Sequence, residues 1–493
     1  MLFIIVGLIA SFACIVINYF IQKWFAYQTL PGPIRLPLIG TSYIFLQRKS
    51  EDFLNILMRN CDKYLSPFRI WIGPKLLIVI YEPSQIKTVL QSHICVDKST
   101  MYNVVKPLFG SGMLTAPAHI WTRDRKMIAP IFNTIMLREF VDTFVQEASI
   151  LIEKLEKIGH NGNEIFVLEP LERCTFKIAL GTMTGIKMEE NILNEIVEAI
   201  ERMKKIITAR LRNPFLMSDF IFNLTSMGRT QRETVIFAQS VVDKMIQQWT
   251  NESNTANVNS DVAHKRLMNV LISSTHNKKF TEKEIFYHLV TMLLTASDTI
   301  AVTMYFVTFV LANFSEIQER VYKELLEIYG MKTLKDAPVK YEDLQHMHYL
   351  ERVIKETLRI FPTGPVIARE VTEDFKIGDI VLPKSADIFI SFIQLHRNKK
   401  YWPNPLVFDP DRFLPENIKS YQSFYFPFSD GPRNCIGMKY AMFSMKVILT
   451  TLIRTFVFKV NQRIEIDKIK LNMNLVLSTV EPLKIILEKR KLQ

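Results

Sequence analysis

The chain has 493 residues, 48% of them hydrophobic, and its 61 Lys and Arg against 49 Asp and Glu leave a formal charge of +12. Such a length, without internal repeats or a long disordered linker, excludes a string of small modules and points to one large domain or two closely packed lobes. The positive charge is spread along the chain with no basic stripe interleaved with aromatics and no zinc-ligand spacing, which argues against nucleic acid and suits an anionic lipid surface or an acidic protein partner.

The chain opens with "MLFIIVGLIASFACIVINYFIQKW", which carries no charged side chain from Leu2 to Gln22. At about 1.5 Å per helical residue this run matches a bilayer core. Lys23, Trp24 and Tyr27 sit where interfacial anchors belong and no small-residue cleavage site follows, so 1–22 reads as a retained transmembrane anchor. A basic and proline-rich lead covers 23–40, and Pro31, Pro33 and Pro37 predict a stiff extended segment because each fixes φ and removes an amide donor.

The body, 41–493, reads as mainly α with small β-sheets. Apolar positions three and four apart predict helices over 52–59, 138–158, 192–210 and 232–250. Short strands are expected in "RIWIGPKLLIVIYEP", "DFKIGDIVLPK" and "VFKV…LNMNLVLST". The polar stretch 251–261, "NESNTANVNSD", reads as a surface loop. Five cysteines, Cys14, Cys61, Cys95, Cys174 and Cys435, are odd in number and lack CxxC spacing, which argues for a reducing compartment rather than a disulfide framework.

Thr281 with Glu284 three residues on forms a capping box, after which about thirty residues run apolar on nearly all sides. A helix of that kind is buried in a large core or a membrane, and the interruptions at Glu284, His288 and Asp298 favour the core. Asp298 is then a costly carboxylate that must be paired or used. Ser297 and Thr299 beside it admit two readings: a proton relay, or hydroxyls that bond back to the carbonyl four residues earlier. Further on, Glu356 and Arg359 share one face of a helix stopped by Pro362.

Near the C-terminus, "FPFSDGPRNCIG" holds Cys435 in a loop between glycines. Taken in order with "WTRDR" (Trp121 to Arg125), "ASDT" (Ala296 to Thr299), "ETLR" (Glu356 to Arg359) and "LHRNKKYWPNPLVFDPDRF" (Leu395 to Phe413), this stretch resembles the cytochrome P-450 family of haem-thiolate monooxygenases. Phe428, Gly431, Arg433, Cys435 and Gly437 match its haem-binding signature, and the anchor and proline lead are similar to its microsomal branch, most like the animal (insect-like) family 4 clan.

The resemblance implies the cytochrome P-450 fold: a single large haem-binding domain, 41–493, behind the transmembrane helix. It implies that Cys435 ligates the iron of haem b and that Trp121, Arg125, Arg369 and Arg433 pair with the haem propionates. Glu356, Arg359 and Arg412 match a fold-stabilising triad, while Asp298 and Thr299 match an acid–alcohol pair that delivers protons. Ala296 and Ile300 depart from the usual Gly and Thr or Ser around that pair. Thr295 stands where some relatives carry a glutamate ester-linked to haem, which implies haem held without a covalent bond. For the loop itself, Gly431 and Gly437 are expected to give the sulfur room, and the helix N-terminus behind Cys435 to favour the thiolate.

Pocket positions implied by resemblance are Val104, Leu108, Leu294, Thr295, Val366, Ile367 and Thr479, mostly aliphatic, so a lipophilic substrate such as a fatty acid, terpenoid or xenobiotic is expected. The apolar segment from Arg212 to Gly228 is expected to dip into the bilayer. Arg125, Lys126, Lys439 and Lys446 suggest docking of an acidic electron donor, the NADPH–cytochrome P-450 reductase, with a cytochrome b-type donor in a smaller role. NADPH then enters only through that partner, and the expected location is the endoplasmic reticulum membrane with the catalytic domain facing the cytosol. A haem-thiolate isomerase or dehydratase, and a non-catalytic binder of lipophilic ligands, stay open as alternatives.

Overall fold

The computed structural model describes residues 30–36, 39–46, 53–73, 75–160, 162–255, 266–276 and 280–490, so the anchor assigned to 1–22 lies outside the described residues. The proline lead, described from Leu30, is laid against a strand. The backbone N–H of Arg69 donates to the Pro31 carbonyl at 2.8 Å and that of Thr41 to Trp71 at 2.7 Å, and Leu30 is buried. Prolines offer no amide donor, so it is their carbonyls that the strand engages.

Helices dominate: α1 Phe53–Lys63, α2 Ala118–Ile128, α3 Thr134–Ile158, α4 Leu168–Thr184, α5 Glu190–Arg212, α6 Ser226–Thr255, α7 Glu282–Asn313, α8 Ser315–Tyr329, α9 His348–Ile360 and α10 Met438–Thr455. The three-and-four spacing locates α1, α3, α5 and α6. However, α6 continues to Thr255, into the polar stretch that reads as a loop from Asn251; polar residues carry no apolar stripe by which periodicity could locate that last turn.

Strands β1 Phe68–Ile72 and β2 Lys75–Ile80 join β3 Val366–Glu370 and β6 Asp387–Ser391 in one sheet ordered β1-β2-β6-β3. Between β2 and β6 the pairing is parallel; the other two pairs are antiparallel. β6 is buried along its whole length, so it shows no alternation, and together with the short β3 it escapes a reading based on period two. Three two-stranded pieces complete the set: β4 Phe375–Ile377 with β5 Ile380–Leu382, β8 Leu471–Met473 with β9 Leu477–Thr479, and β7 Phe456–Lys459 with β10 Ile486–Lys489. The mainly helical body with small sheets matches the expected class.

The capping box forms as the sequence predicts, with the Thr281 hydroxyl accepting from the Glu284 amide and the Glu284 carboxylate from the Thr281 amide. From there α7 runs unbroken through the core against α4, α9 and β7. Among the described residues it is the one helix long and apolar enough to cross a membrane, and most of it is buried within the protein. This buried axis and α10, which starts just after Cys435, frame the candidate site.

Candidate functional site

Phe426 to Gly437 turns sharply, with Ser429 at φ 63° and Gly431 at φ 72°. A Cβ on Gly431 would lie 1.9 Å from the Leu90 carbonyl oxygen, so glycine is required by a neighbouring backbone as well as by its own left-handed conformation. The room it gives is therefore for Leu90 rather than for the sulfur, which corrects the sequence expectation. Gly431→Ala is expected to cost at least about 1–2 kcal/mol from the conformation alone and more from the clash, read as a lower thermal unfolding midpoint. At Gly437 a Cβ meets no protein atom within 4 Å, so protein packing does not demand glycine there and this face of the loop is open.

Cys435 is accessible at its side chain, and its amide donates to the Phe428 carbonyl at 3.0 Å. The Gly437 amide and the Arg125 guanidinium both favour its ionised form. Gly437 caps α10, so the sulfur sits at a helix N-terminus, where an anion is favoured. A metal ion ligated there deprotonates the thiol outright.

Four cations gather beside this loop. Arg433 is buried and donates to the Val96, Ala116 and Leu114 carbonyls at 2.9, 2.6 and 3.3 Å; its Nε has no partner. The guanidinium groups of Arg125 and Arg433 both lie over the Trp121 ring, 5.4 and 5.3 Å from its centroid. Arg369, on β3, is buried and bridged through its backbone to Lys98. Arg125 donates both η nitrogens to Asn434, at 2.8 and 2.6 Å.

Burial, then Arg369 and Arg433, push the Lys98 ammonium well below its ordinary pKa. Burial, then Arg369, bring Arg433 down to about 10. Asp97, the carboxylate near Arg433, caps α2 by accepting from the Ala118 amide at 2.5 Å. Among the described residues no salt bridge from a carboxylate reaches Lys98, Arg125, Arg369 or Arg433. Crowded like charges with so little compensation are costly, and a ligand bearing two carboxylates reverses that cost. Together with the thiol and the open face of Gly437, this set fits haem. Lys98 is not foreseen by the sequence, where it is a lone lysine in a loop.

Beneath the site, Glu356 and Arg359 of α9 are both fully buried. Arg359 donates Nε and Nη2 to the Glu356 carboxylate at 2.7 and 2.8 Å, and Nη1 to the His396 carbonyl at 2.8 Å. Arg412 stands 3.4 Å from Glu356 and spends its η nitrogen on the Pro403 and Asn404 carbonyls. The three residues are thus brought together, with Arg412 in an ion pair rather than a hydrogen bond to Glu356.

On α7, the hydroxyls of Ser297 and Thr299 both donate to the carbonyl four residues earlier at 2.8 Å, the second of the two readings left open by the sequence. Their oxygen lone pairs remain able to accept. Asp298 is paired: Lys204 Nζ of α5 lies 2.5 Å from it, 2.8 Å from Glu172 of α4 and 3.0 Å from Glu201. The other two polar interruptions of α7 are structural ties. Buried His288 meets buried Asp124 of α2 at 3.1 Å, and Arg123 joins Asp124 to Glu284 at 2.6 and 3.1 Å.

A cavity of about 270 Å³ borders Asp298 and Thr299 and is lined chiefly by apolar groups, among them Leu108, Leu294, Val366 and Ile367, with Thr295. Val104 is buried but lines neither this cavity nor a second one of about 770 Å³. Thr479 lines the second, where its hydroxyl meets that of Tyr305 at 3.2 Å. Lys446 is also placed otherwise than expected: it is buried, with its ammonium donating to the Leu344 carbonyl and Glu351 at 2.8 and 2.6 Å, so it offers nothing to a docking partner. Lys126 and Lys439 are exposed.

The model of the cytochrome P-450 family matches residues 30–487. The chain is 33% identical to cytochrome P-450 4c21 of Blattella germanica, covering 94% of each chain. It is 30% identical to human cytochrome P-450 4V2 over 90% of this chain and 87% of that one, and 29% identical to cytochrome P-450 4g15 of Drosophila melanogaster over 94% and 92%.

Proposed function

The chain belongs to the cytochrome P-450 family and is a haem-thiolate monooxygenase, and on that premise we propose that it inserts one atom of dioxygen into a lipophilic substrate with electrons drawn from NADPH through a membrane-bound reductase. The observation that carries this reading is the accessible Cys435 thiol at a helix N-terminus, facing the same region as four carboxylate-poor cations. When bound, haem b supplies dioxygen activation at its iron, and a thiolate ligand favours O–O cleavage.

The chain's own residues do the rest. Cys435 is the ligand, while Trp121, Arg125, Arg369, Arg433 and Lys98 hold the propionates, two carboxylates best met by guanidinium forks. Thr295 has no carboxylate to form an ester with haem, in keeping with noncovalent retention. Asp298 and Thr299 border the apolar cavity; Asp298 is the acid that passes protons inward, and the Thr299 oxygen, its own hydrogen donated to the Thr295 carbonyl, accepts a hydrogen bond and so orients the water that would carry them. The walls of the cavity exclude water and favour an apolar substrate.

Exposed Phe215, Phe220 and Leu224 sit between α5 and α6, a surface suited to a bilayer that lipophilic substrates cross. With the anchor over 1–22 this supports residence on the endoplasmic reticulum membrane. Lys126 and Lys439 support docking of the acidic reductase beside Cys435.

The test is turnover of a panel of lipophilic substrates by the solubilised holoprotein with the flavoprotein reductase. Oxygenated product that requires both NADPH and dioxygen is expected. Product formed without NADPH means an isomerase instead, and substrate binding without any product means a binder.

A further inference from the structure

We propose that the second cavity is the path by which solvent protons reach the haem side, with Glu172 as the carrier and Lys204 as the residue that holds Asp298 at its inner end. The proposal rests on the monooxygenase reading. Each turnover consumes two electrons and two protons: substrate R–H, O2, two electrons from the NADPH-fed reductase and two protons from solvent give R–OH and water. The substrate cavity is lined chiefly by apolar groups, so the protons need a polar break.

One break is evident where the two cavities share a wall. Glu172, Glu201 and Lys204 line both, while Asp298 lines the inner one. The larger cavity has four acidic and four basic side chains on its surface, of which Glu169 pairs with Arg173 at 3.2 Å and Glu198 with Arg202 at 3.6 Å, and Lys205 is the remaining cation outside the shared wall. The wall itself is different: three carboxylates converge on one ammonium, Asp298 at 2.5 Å, Glu172 at 2.8 Å and Glu201 at 3.0 Å. Glu172 and Asp298 thus share one nitrogen and lie within a single water's reach of each other.

Three carboxylates around one cation, with Lys204, Glu172 and Asp298 partly buried and Glu201 more exposed, favour uptake of a proton. Glu172 takes it, since burial pushes its pKa up to about 7 even against Lys204, with Asp298 and Glu201 adding to the rise. Burial works against the Lys204 charge, yet Asp298 and Glu172 raise its pKa above the ordinary lysine value. The ammonium therefore keeps its proton and serves as a fixed point, whereas Glu172 loads and unloads near neutrality. Lys204 is a positioning residue, and Glu172 is a proton carrier rather than a group that touches substrate.

Glu172→Gln keeps the hydrogen-bonding shape and removes the carrier. In the reductase-coupled holoenzyme, product formed per NADPH consumed is expected to fall by about 10²-fold, the scale of a lost positioned proton donor, with hydrogen peroxide rising in step. In the wild type that ratio declines as pH rises through about 7, as Glu172 loses its proton; in the variant it is flat across that range. Lys204→Met is expected to lower the ratio too, and to move its decline to higher pH, because Lys204 holds the Glu172 pKa down. Glu198→Gln, whose carboxylate pairs with Arg202 rather than with Lys204, serves as the control and leaves both unchanged. A Glu172→Gln enzyme with wild-type coupling and pH profile, its carbon monoxide difference band intact, overturns the route. A wild type that yields no NADPH-dependent product overturns the monooxygenase reading on which the route stands.

Discussion

Cys435→Ser is expected to abolish substrate oxygenation, by at least about 10³-fold or about 4 kcal/mol of transition-state stabilisation, while leaving the fold in place. The hydroxyl of serine does not ionise as the thiol does, so it offers neither the charge nor the electron push of a thiolate. The fold does not depend on the sulfur: the packing contact of the loop is the Cys435 amide on the Phe428 carbonyl, which serine reproduces, and the side chain is accessible rather than wedged in the core. Circular dichroism of the variant is therefore expected to match the wild type closely, while the thermal midpoint of the haem-loaded protein falls by as much as haem is held less tightly. The reduced carbon monoxide complex separates the two proteins. The wild type gives the thiolate band for which the family is named, and the variant gives a band at shorter wavelength. A variant that keeps the thiolate band would place the ligand elsewhere and remove Cys435 from the centre of the site.

The Cys435 loop is legible in sequence because its chemistry is local. A sulfur, its flanking glycines and the following helix lie within a dozen residues, and each position is constrained by backbone geometry. Asp298 is legible for a related reason, as a carboxylate in an otherwise apolar helix. Its partners are not: Glu172 and Lys204 sit on amphipathic helices where Glu and Lys ordinarily face water, and only the packing of α4 and α5 against α7 turns them inward. Lys98 gains its setting from a backbone bridge to Arg369, which no local pattern announces. Lys446 shows the converse, a cation read as surface that the fold seals against Glu351. There burial works against ionisation, but hydrogen bonds from Lys355 and Lys446 outweigh it and hold the Glu351 carboxyl at about 2. The long helices follow from periodicity, while β6 lacks any because both its faces are covered.

Arg359→Leu is expected to remove most of the folded protein, because it strands a carboxylate that has no other adequate partner. Glu356 is fully buried, Arg412 is 3.4 Å away and committed to two carbonyls, and the backbone amide of Asp409 supplies a single hydrogen bond at 3.0 Å. Breaking a buried pair from one side costs about 3–5 kcal/mol, a large share of the roughly 5–15 kcal/mol that separates folded from unfolded protein. Burial already raises the Glu356 pKa against the opposing pull of Arg359, so without the guanidinium it rises further. The folded state then binds a proton that the unfolded state releases, and stability falls as pH rises from the ordinary glutamate range through the raised value. Denaturant unfolding of Arg359→Leu should thus show the smallest deficit at acid pH and the largest at neutral pH. Adding Glu356→Leu removes the stranded charge and is expected to restore part of the loss and flatten that pH dependence. Restoration stays partial, since the His396 and Pro405 carbonyls that Arg359 serves are still left unmet in the core. A double variant no more stable than Arg359→Leu at neutral pH would mean that those carbonyls, and not the Glu356 charge, set the cost.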